Sequence, residues 1–193
     1  MKAGEIVKQK EMFLKITEAR VELYKLMDQY WQQYSSFHTW QFWANVFMLL
    51  IPIFILYKVL DRKRAFEVGF YGFTVHTITS YLDIFGIRMG YWGYPYQIST
   101  YIASNVALDA SLIPVSFMLI YQYTYNNKKK YYLTSLLVIG AFSFILKPIL
   151  KSHGLFYMGD GFTYLHLSLY YLGAIAFATI LVKIFHAFQD KKI

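Results

Sequence analysis

Four ionisable side chains stand in stretches that are otherwise apolar: Asp83, Asp109, Lys147 and His166. Keeping such a group away from water is costly, so it pairs, faces a polar interior or carries function. A carboxylate and an ammonium both gain by meeting, which predicts an ion pair between Lys147 and either Asp83 or Asp109. Asn105 and Asp109 are four residues apart and share one helix face, with Ser104, Ser111 and Tyr101 nearby, so this face is expected to point inward. Pro114 lacks a helical donor and leaves the Ala110 carbonyl as an acceptor in the same region; Lys147-Pro148 repeats the device.

Between the two acids runs GIRMGYWGYPYQIST, with three glycines, one proline and four aromatic rings. Its plain reading is an aromatic anchor at the lipid headgroups. Its sharper reading is a lid, in which Tyr91, Trp92 and Tyr94 cover an outward-facing cavity and admit a ligand with an apolar part, or hold a cation as aromatic cages do. Arg88 stands above that cavity, and His166, with Tyr164 on the same turn, lies at the level of Asp83 and Lys147. His76, in the middle of an apolar stretch, reads as a histidine bonded to a neighbouring Ser or Thr, and His38, His153 and His186 fall at segment ends. A metal held by Asp83, Asp109 and His166 is opposed by the nearby lysine, so none is expected. No HExxH, nucleophile elbow or phosphate-binding glycine loop occurs, and no cofactor is expected. The absence of cysteine excludes thiolate chemistry and disulfides.

What must position these residues is a membrane bundle. The 193 residues are 57% hydrophobic, 21% aromatic and only 16% charged, whereas soluble domains run at about 45–50% apolar and about 25% charged. Apolar stretches cover residues 39–60, 66–87, 101–125, 131–150 and 162–185, each long enough where about 20 residues cross a bilayer. The expected fold is all-α, an integral membrane bundle of five transmembrane helices (residues 37–187) preceded by an amphipathic N-terminal helix (1–36) and followed by a short tail (188–193). Trp40 and Trp43 suit an interfacial belt, Pro52 predicts a kink, and Lys58 can snorkel toward the basic cluster at 61–64. If every span crosses, Arg62, Lys63, Arg64, the lysines at 128–130, Lys183, Lys191 and Lys192 share one side, which puts the C-terminus in the cytoplasm and the N-terminus outside. Asp83, Lys147 and His166 then each lie about one turn from the outer surface and Asp109 ~12 Å below it.

In the N-terminal helix Met12, Ile16, Ala19, Leu23, Leu26, Tyr30 and Tyr34 recur at steps of three and four, an apolar stripe that packs on the rest of the molecule or lies among the headgroups. The first 20 residues mix both charge signs without an apolar run, unlike a cleaved signal peptide, so the first span is expected to target and anchor the chain. The net charge of +8 fits cationic loops against anionic lipid rather than nucleic acid. The partners expected are therefore the lipid bilayer and either a small ligand or a protein; oligomeric state is not legible.

Three segments, DRKR at 61–64, SYLDIFGIRMGYWGYP at 80–95 and LDASLIPVSFMLIYQY at 108–123, give the chain a resemblance to a family of small multi-pass membrane proteins of endospore-forming Gram-positive bacteria. The resemblance covers most of 40–180 and implies a compact helical membrane fold in the bacterial cell membrane, without an activity to transfer. Two departures bear on the site. The family tends to an acid before the proline of the fourth span, where this chain has Lys147, and to an adjacent His-Tyr pair early in the fifth, where Leu165 separates Tyr164 from His166. YWGYP and Asp109 are also similar to carotenoid cyclase-type membrane domains, but their doubled acid beside a proline is missing.

Three functions follow as expectations. The leading one is a non-enzymatic membrane protein with an outward-facing polar pocket for a small ligand, or an envelope assembly or sensing component. The second is an intramembrane enzyme acting on a lipid or isoprenoid, with Asp109 as proton donor and His166 as base. The third is a structural protein whose charged groups are neutralised internally and whose N-terminal helix binds a partner.

Overall fold

The computed structural model describes residues 3–190; Lys191, Lys192 and the end of the 188–193 tail lie outside the described residues. Helix α1 (Ala3–Tyr30) runs into a π turn at Trp31–Ser35. Thr39 starts α2 (Trp40–Val59) by accepting the Phe42 N–H, and Asp61 caps a short turn at Arg62–Arg64. The hydrogen bond from Arg64, with that from the Lys63 N–H, holds the Asp61 carboxyl below the usual carboxylate range. Then come α3 (Ala65–Arg88), the two-residue strand β1 (Trp92–Gly93), a π turn at Leu108–Leu112 leading into α4 (Ile113–Thr124), and α5 (Lys128–Ala141). A further π turn at Phe142–Leu146 joins α5 to α6 (Lys147–Ser152), and β2 (Tyr157–Met158) precedes α7 (Tyr164–Asp190).

Among the described residues three helices are long and apolar enough to cross a membrane: α2, the continuous run Lys128–Ser152, and Tyr164–Gln189 of α7. The other two expected spans differ from these for separate reasons. α3 has the length, 24 residues, but polar positions dilute it, and Thr74, Thr79 and Asp83 among them are buried. It packs between α4 and α7, so its polar side chains face protein. The expected 101–125 helix is shorter than its apolar stretch. Residues 101–104 are bends, and Tyr101, expected on the inward face, is 87% exposed. The helix begins after Asn105, whose side chain accepts the Leu108 N–H at 3.1 Å as an N-cap.

The π turns at Leu108–Leu112 and Phe142–Leu146 stand directly before Ile113-Pro114 and Lys147-Pro148. A proline one turn on withdraws a donor, and the chain answers with i→i+5 bonds, Ile113 N–H to Leu108 and Lys147 N–H to Phe142. The extra residue rotates Asp109 and Lys147 relative to a regular helix.

In lipid, helices associate through close packing rather than exclusion of water. α3 supplies the small residues: a side chain at Gly72 would overlap Met118 of α4, and one at Gly86 would overlap the Trp92 ring at 2.0 Å. Tyr71 of α3 is fully buried, stacks on Tyr121 at 4.5 Å and shares a 2.7 Å hydrogen bond with Tyr131. At the other end of the bundle β1 pairs antiparallel with β2, Trp92 opposite Met158, and the Gly159 N–H donates to the Tyr91 carbonyl at 2.8 Å. The apolar stripe of α1 does not pack on this core; Met12, Ile16, Leu23, Leu26, Tyr30 and Tyr34 are exposed. The π turn that follows it is fastened to the rest of the chain, through Trp31 Nε1 donating to the Gln97 carbonyl at 2.8 Å and Ser35 Oγ accepting the Gln97 N–H at 3.0 Å.

Candidate functional site

Asp83 is the fixed point of the polar core. Its Oδ1 accepts from Trp92 Nε1 at 2.7 Å and from the Tyr94 hydroxyl at 2.8 Å, and its Oδ2 accepts the Asn105 N–H at 3.0 Å. One carboxylate thus ties down both ends of the 92–105 turn. Trp92 reaches it because Gly86, three residues after Asp83, leaves room for the indole, and because Gly90, at φ 72°, turns the chain back in a conformation open to glycine. The aromatic turn is therefore inserted into the bundle, with Trp92 and Tyr94 buried, instead of lying over a cavity as a lid.

Lys147 is 2% exposed and makes no direct ion pair with either acid among the described residues. Its Nζ donates to the Tyr94 hydroxyl at 3.0 Å and lies over the Tyr94 and Phe156 rings, 4.8 and 4.2 Å from their centroids. The expected Asp–Lys pair is thus interrupted by Tyr94, whose oxygen accepts from Lys147 while its O–H donates to Asp83. Burial, and after it the nearby charges of Asp83 and Asp109, push the Tyr94 phenol well above its ordinary range, so it keeps the proton this chain of bonds requires. The two aromatic faces compensate in part for the ammonium's lost hydration.

Asp109 has a different environment. It is 3% exposed, its backbone carbonyl accepts from His76 Nδ1 at 2.8 Å, and its Oδ2 has no hydrogen-bond partner among the described residues. It lines a cavity of about 30 Å³ together with Asp83, Tyr94 and Lys147, walled by Trp92, Thr79, Leu82, Leu167, Tyr170 and Tyr171. That volume suits about one water molecule, not an organic ligand.

Of the residues singled out in the sequence, Asp83, Trp92, Tyr94, Asn105, Asp109 and Lys147 converge here. His166 does not: it is exposed, held by Thr163 at 2.9 Å and packed against Phe162, so Asp83, Asp109 and His166 form no ligand set. Arg88 is exposed beyond the end of α3's buried face, and Tyr164 is half-buried without lining the cavity. His76 does bond Ser80, at 3.3 Å, but its closer partner is the Asp109 carbonyl. Sequence reasoning missed Tyr170 and Tyr171. Their spacing from Leu167, three and four residues, was the available signal for a common face of α7.

A second cavity, of about 290 Å³, lies where the end of α1 meets the turn, between Leu26, Met27, Tyr30 and Trp31 on one side and Tyr94, Pro95, Gln97 and Thr100 on the other. Tyr94 lines both cavities.

Compared with protein-family models, with curated proteins and with solved structures, the chain finds no significant match in any of the three. Fold and site define it as a helical protein with three membrane-crossing candidates and a buried charge cluster at one end.

Proposed function

We propose that the chain is a five-helix protein of the bacterial cell membrane, related to the small multi-pass proteins whose motifs it resembles, that binds a small, largely apolar ligand at its outer face and serves envelope sensing or assembly without catalysis. α3 and the helix through residues 106–124 cross beside α2, Lys128–Ser152 and α7. Support for this comes from α3 making contacts at both ends of α7: Glu67 bonds His186 near the end of α7, and Trp92, just after α3, packs edge-on against Tyr170 near its start.

The observation that carries the functional reading is the double position of Tyr94. The residue lines the 290 Å³ cavity, and its hydroxyl joins Lys147 to Asp83. A ligand seated against Leu26, Trp31 and Pro95 presses on the residue that connects the charges, so occupancy of this cavity alters the link that Tyr94 makes between Asp83 of α3 and Lys147 of α6. Catalysis by Asp109 and His166 is disfavoured by the exposed position of His166 and by a polar cavity of only about 30 Å³.

The absence of native cysteine permits a direct test with Thr100→Cys, lining the larger cavity, and Asn105→Cys, at the buried cluster. In intact cells a membrane-impermeant thiol reagent should label position 100 and leave position 105 unlabelled until denaturation; in purified protein with Trp31, Trp40 and Trp43 replaced by Phe, attachment at 100 should change Trp92 fluorescence. Labelling at 105 as fast as at 100 would return the ligand site to the acids themselves. Labelling at 100 without a change in fluorescence would leave the cluster a structural fastening.

A further inference from the structure

At the end of the bundle opposite the acids, two hollows meet. One, of about 130 Å³, is lined by Tyr121, Tyr125, Lys128, Tyr132, Lys183 and His186 among others; the other, of about 510 Å³, is walled by Phe66, Phe70, Phe185 and Phe188. Val182 and His186 line both, so the cationic chamber and the phenylalanine groove adjoin there. The nearby acid is already engaged: Glu67 accepts from the Tyr121 hydroxyl at 2.5 Å and bonds His186 Nε2 at 3.0 Å. Lys183 touches only the Tyr132 hydroxyl, at 3.2 Å, among the described residues, and Lys128 is exposed beside it.

From this we infer that the junction is a binding site for one anionic phospholipid, its phosphate between Lys128 and Lys183 and one acyl chain along Phe66, Phe70, Phe185 and Phe188. The argument is charge and shape together. The chamber offers two ammonium groups and the phenols of Tyr125 and Tyr132, while Glu67, which lines the adjoining groove, is bonded to Tyr121 and His186; the cationic side is complementary to a phosphodiester. A cationic hollow beside a groove walled mainly by phenylalanines suits a headgroup joined to a hydrocarbon chain better than a free anion. Lysines at 128–130 and Arg62, Lys63 and Arg64 surround this end and raise the local concentration of anionic lipid. The inference requires only that α2, Lys128–Ser152 and α7 cross the bilayer, and it stands apart from the proposed outer ligand site.

The test is native mass spectrometry of the full chain released from nanodiscs of equimolar phosphatidylglycerol and phosphatidylcholine. The expected result is a single retained lipid, enriched for phosphatidylglycerol by on the order of tenfold, given the attraction of two lysines. Lys128→Gln with Lys183→Gln should bring the two lipids to equal retention, whereas Lys151→Gln, at the opposite end, should change nothing. Both lysines are exposed, and an unchanged melting temperature in phosphatidylcholine checks that the double variant is folded. Phe66→Ser gives a second, independent reading by lowering retention without touching charge. Equal retention in the unmodified protein, or enrichment that survives the double variant, overturns the inference. Protection by millimolar inorganic phosphate against heat, without lipid enrichment, would also overturn it in favour of a free-anion site.

Discussion

Asp83 and Asp109 are the same side chain in the same bundle, yet their surroundings assign them opposite consequences. Asp83 accepts three hydrogen bonds and holds the 92–105 turn; Asp109 keeps a buried oxygen with no partner among the described residues. An Asn at position 83 turns an amide N–H₂ toward donors, so Asp83→Asn is expected to destabilise the protein by about 3 kcal/mol and to expose Trp92, seen as a red-shifted emission and an earlier thermal transition in detergent. Asp109→Asn leaves the three hydrogen bonds of Asp83 in place and alters a carboxyl whose Oδ2 has no hydrogen-bond partner among the described residues. It should change stability by no more than about 1 kcal/mol, leave the amount of protein in the membrane unchanged and alter function. Tyr94→Phe separates Lys147 from Asp83 while keeping the ring, and a loss of about 2 kcal/mol in the same melting experiment is expected. Residue type alone was enough to mark Asp83, Trp92, Tyr94, Asp109 and Lys147, because polar groups in apolar sequence must find each other. It could not show that a tyrosine would stand between lysine and acid, since that depends on which ring fills the space left by Gly86. His166 and Tyr101 misled for a related reason: both sit at helix ends, where about one turn of uncertainty decides between interior and surface.

The elements explain why the charged side chains arrive together. Each proline pair forces a π turn one step earlier, and the turns carry Asp109 and deliver Lys147 to facing positions. The sequence told of broken backbone bonds near Pro114 and Pro148, but not of their repair by an inserted residue, which requires knowing how the next turn packs. α3 plays the complementary part by being thin. At Gly86 an added methyl meets the rigid Trp92 ring at 2.0 Å, whereas at Gly72 it meets the flexible end of Met118 at 2.2 Å. Gly86→Ala should therefore cost about 1–3 kcal/mol and dislodge Trp92 from Asp83, while Gly72→Ala is absorbed by rotation of the methionine at a smaller cost. Thermal unfolding of the two variants side by side, with Trp92 emission as the local readout, separates a rigid contact from a soft one.

At the scale of the molecule, helicity and membrane character were legible from composition, and three of the expected spans stand as helices long and apolar enough to cross. The other two expected spans, 66–87 and 101–125, are not among these: α3 carries buried polar residues where α4 and α7 cover it, and the helix after Asn105 is shorter than its apolar stretch. The strand pair joining Trp92 to Met158 puts the 89–104 and 153–163 turns at one end, and the Glu67–His186 contact puts the start of α3 and the end of α7 at the other. If α3 and the 106–124 helix both cross, Tyr101 lies on the same side as Gly154 and opposite Asp61 and Asn127. If only α2, Lys128–Ser152 and α7 cross, Tyr101 lies with Asp61 instead. Tyr101, at 87% exposure, is the position where the two arrangements disagree and where a substitution disturbs no packing. Single cysteines at 61, 101, 127 and 154 should divide under an impermeant reagent into a labelled pair, 101 and 154, and a pair that reacts only after permeabilisation, 61 and 127. Position 101 labelling together with 61 would reduce the bundle to three crossings and require α3 to lie against one membrane face, which its burial between α4 and α7 opposes.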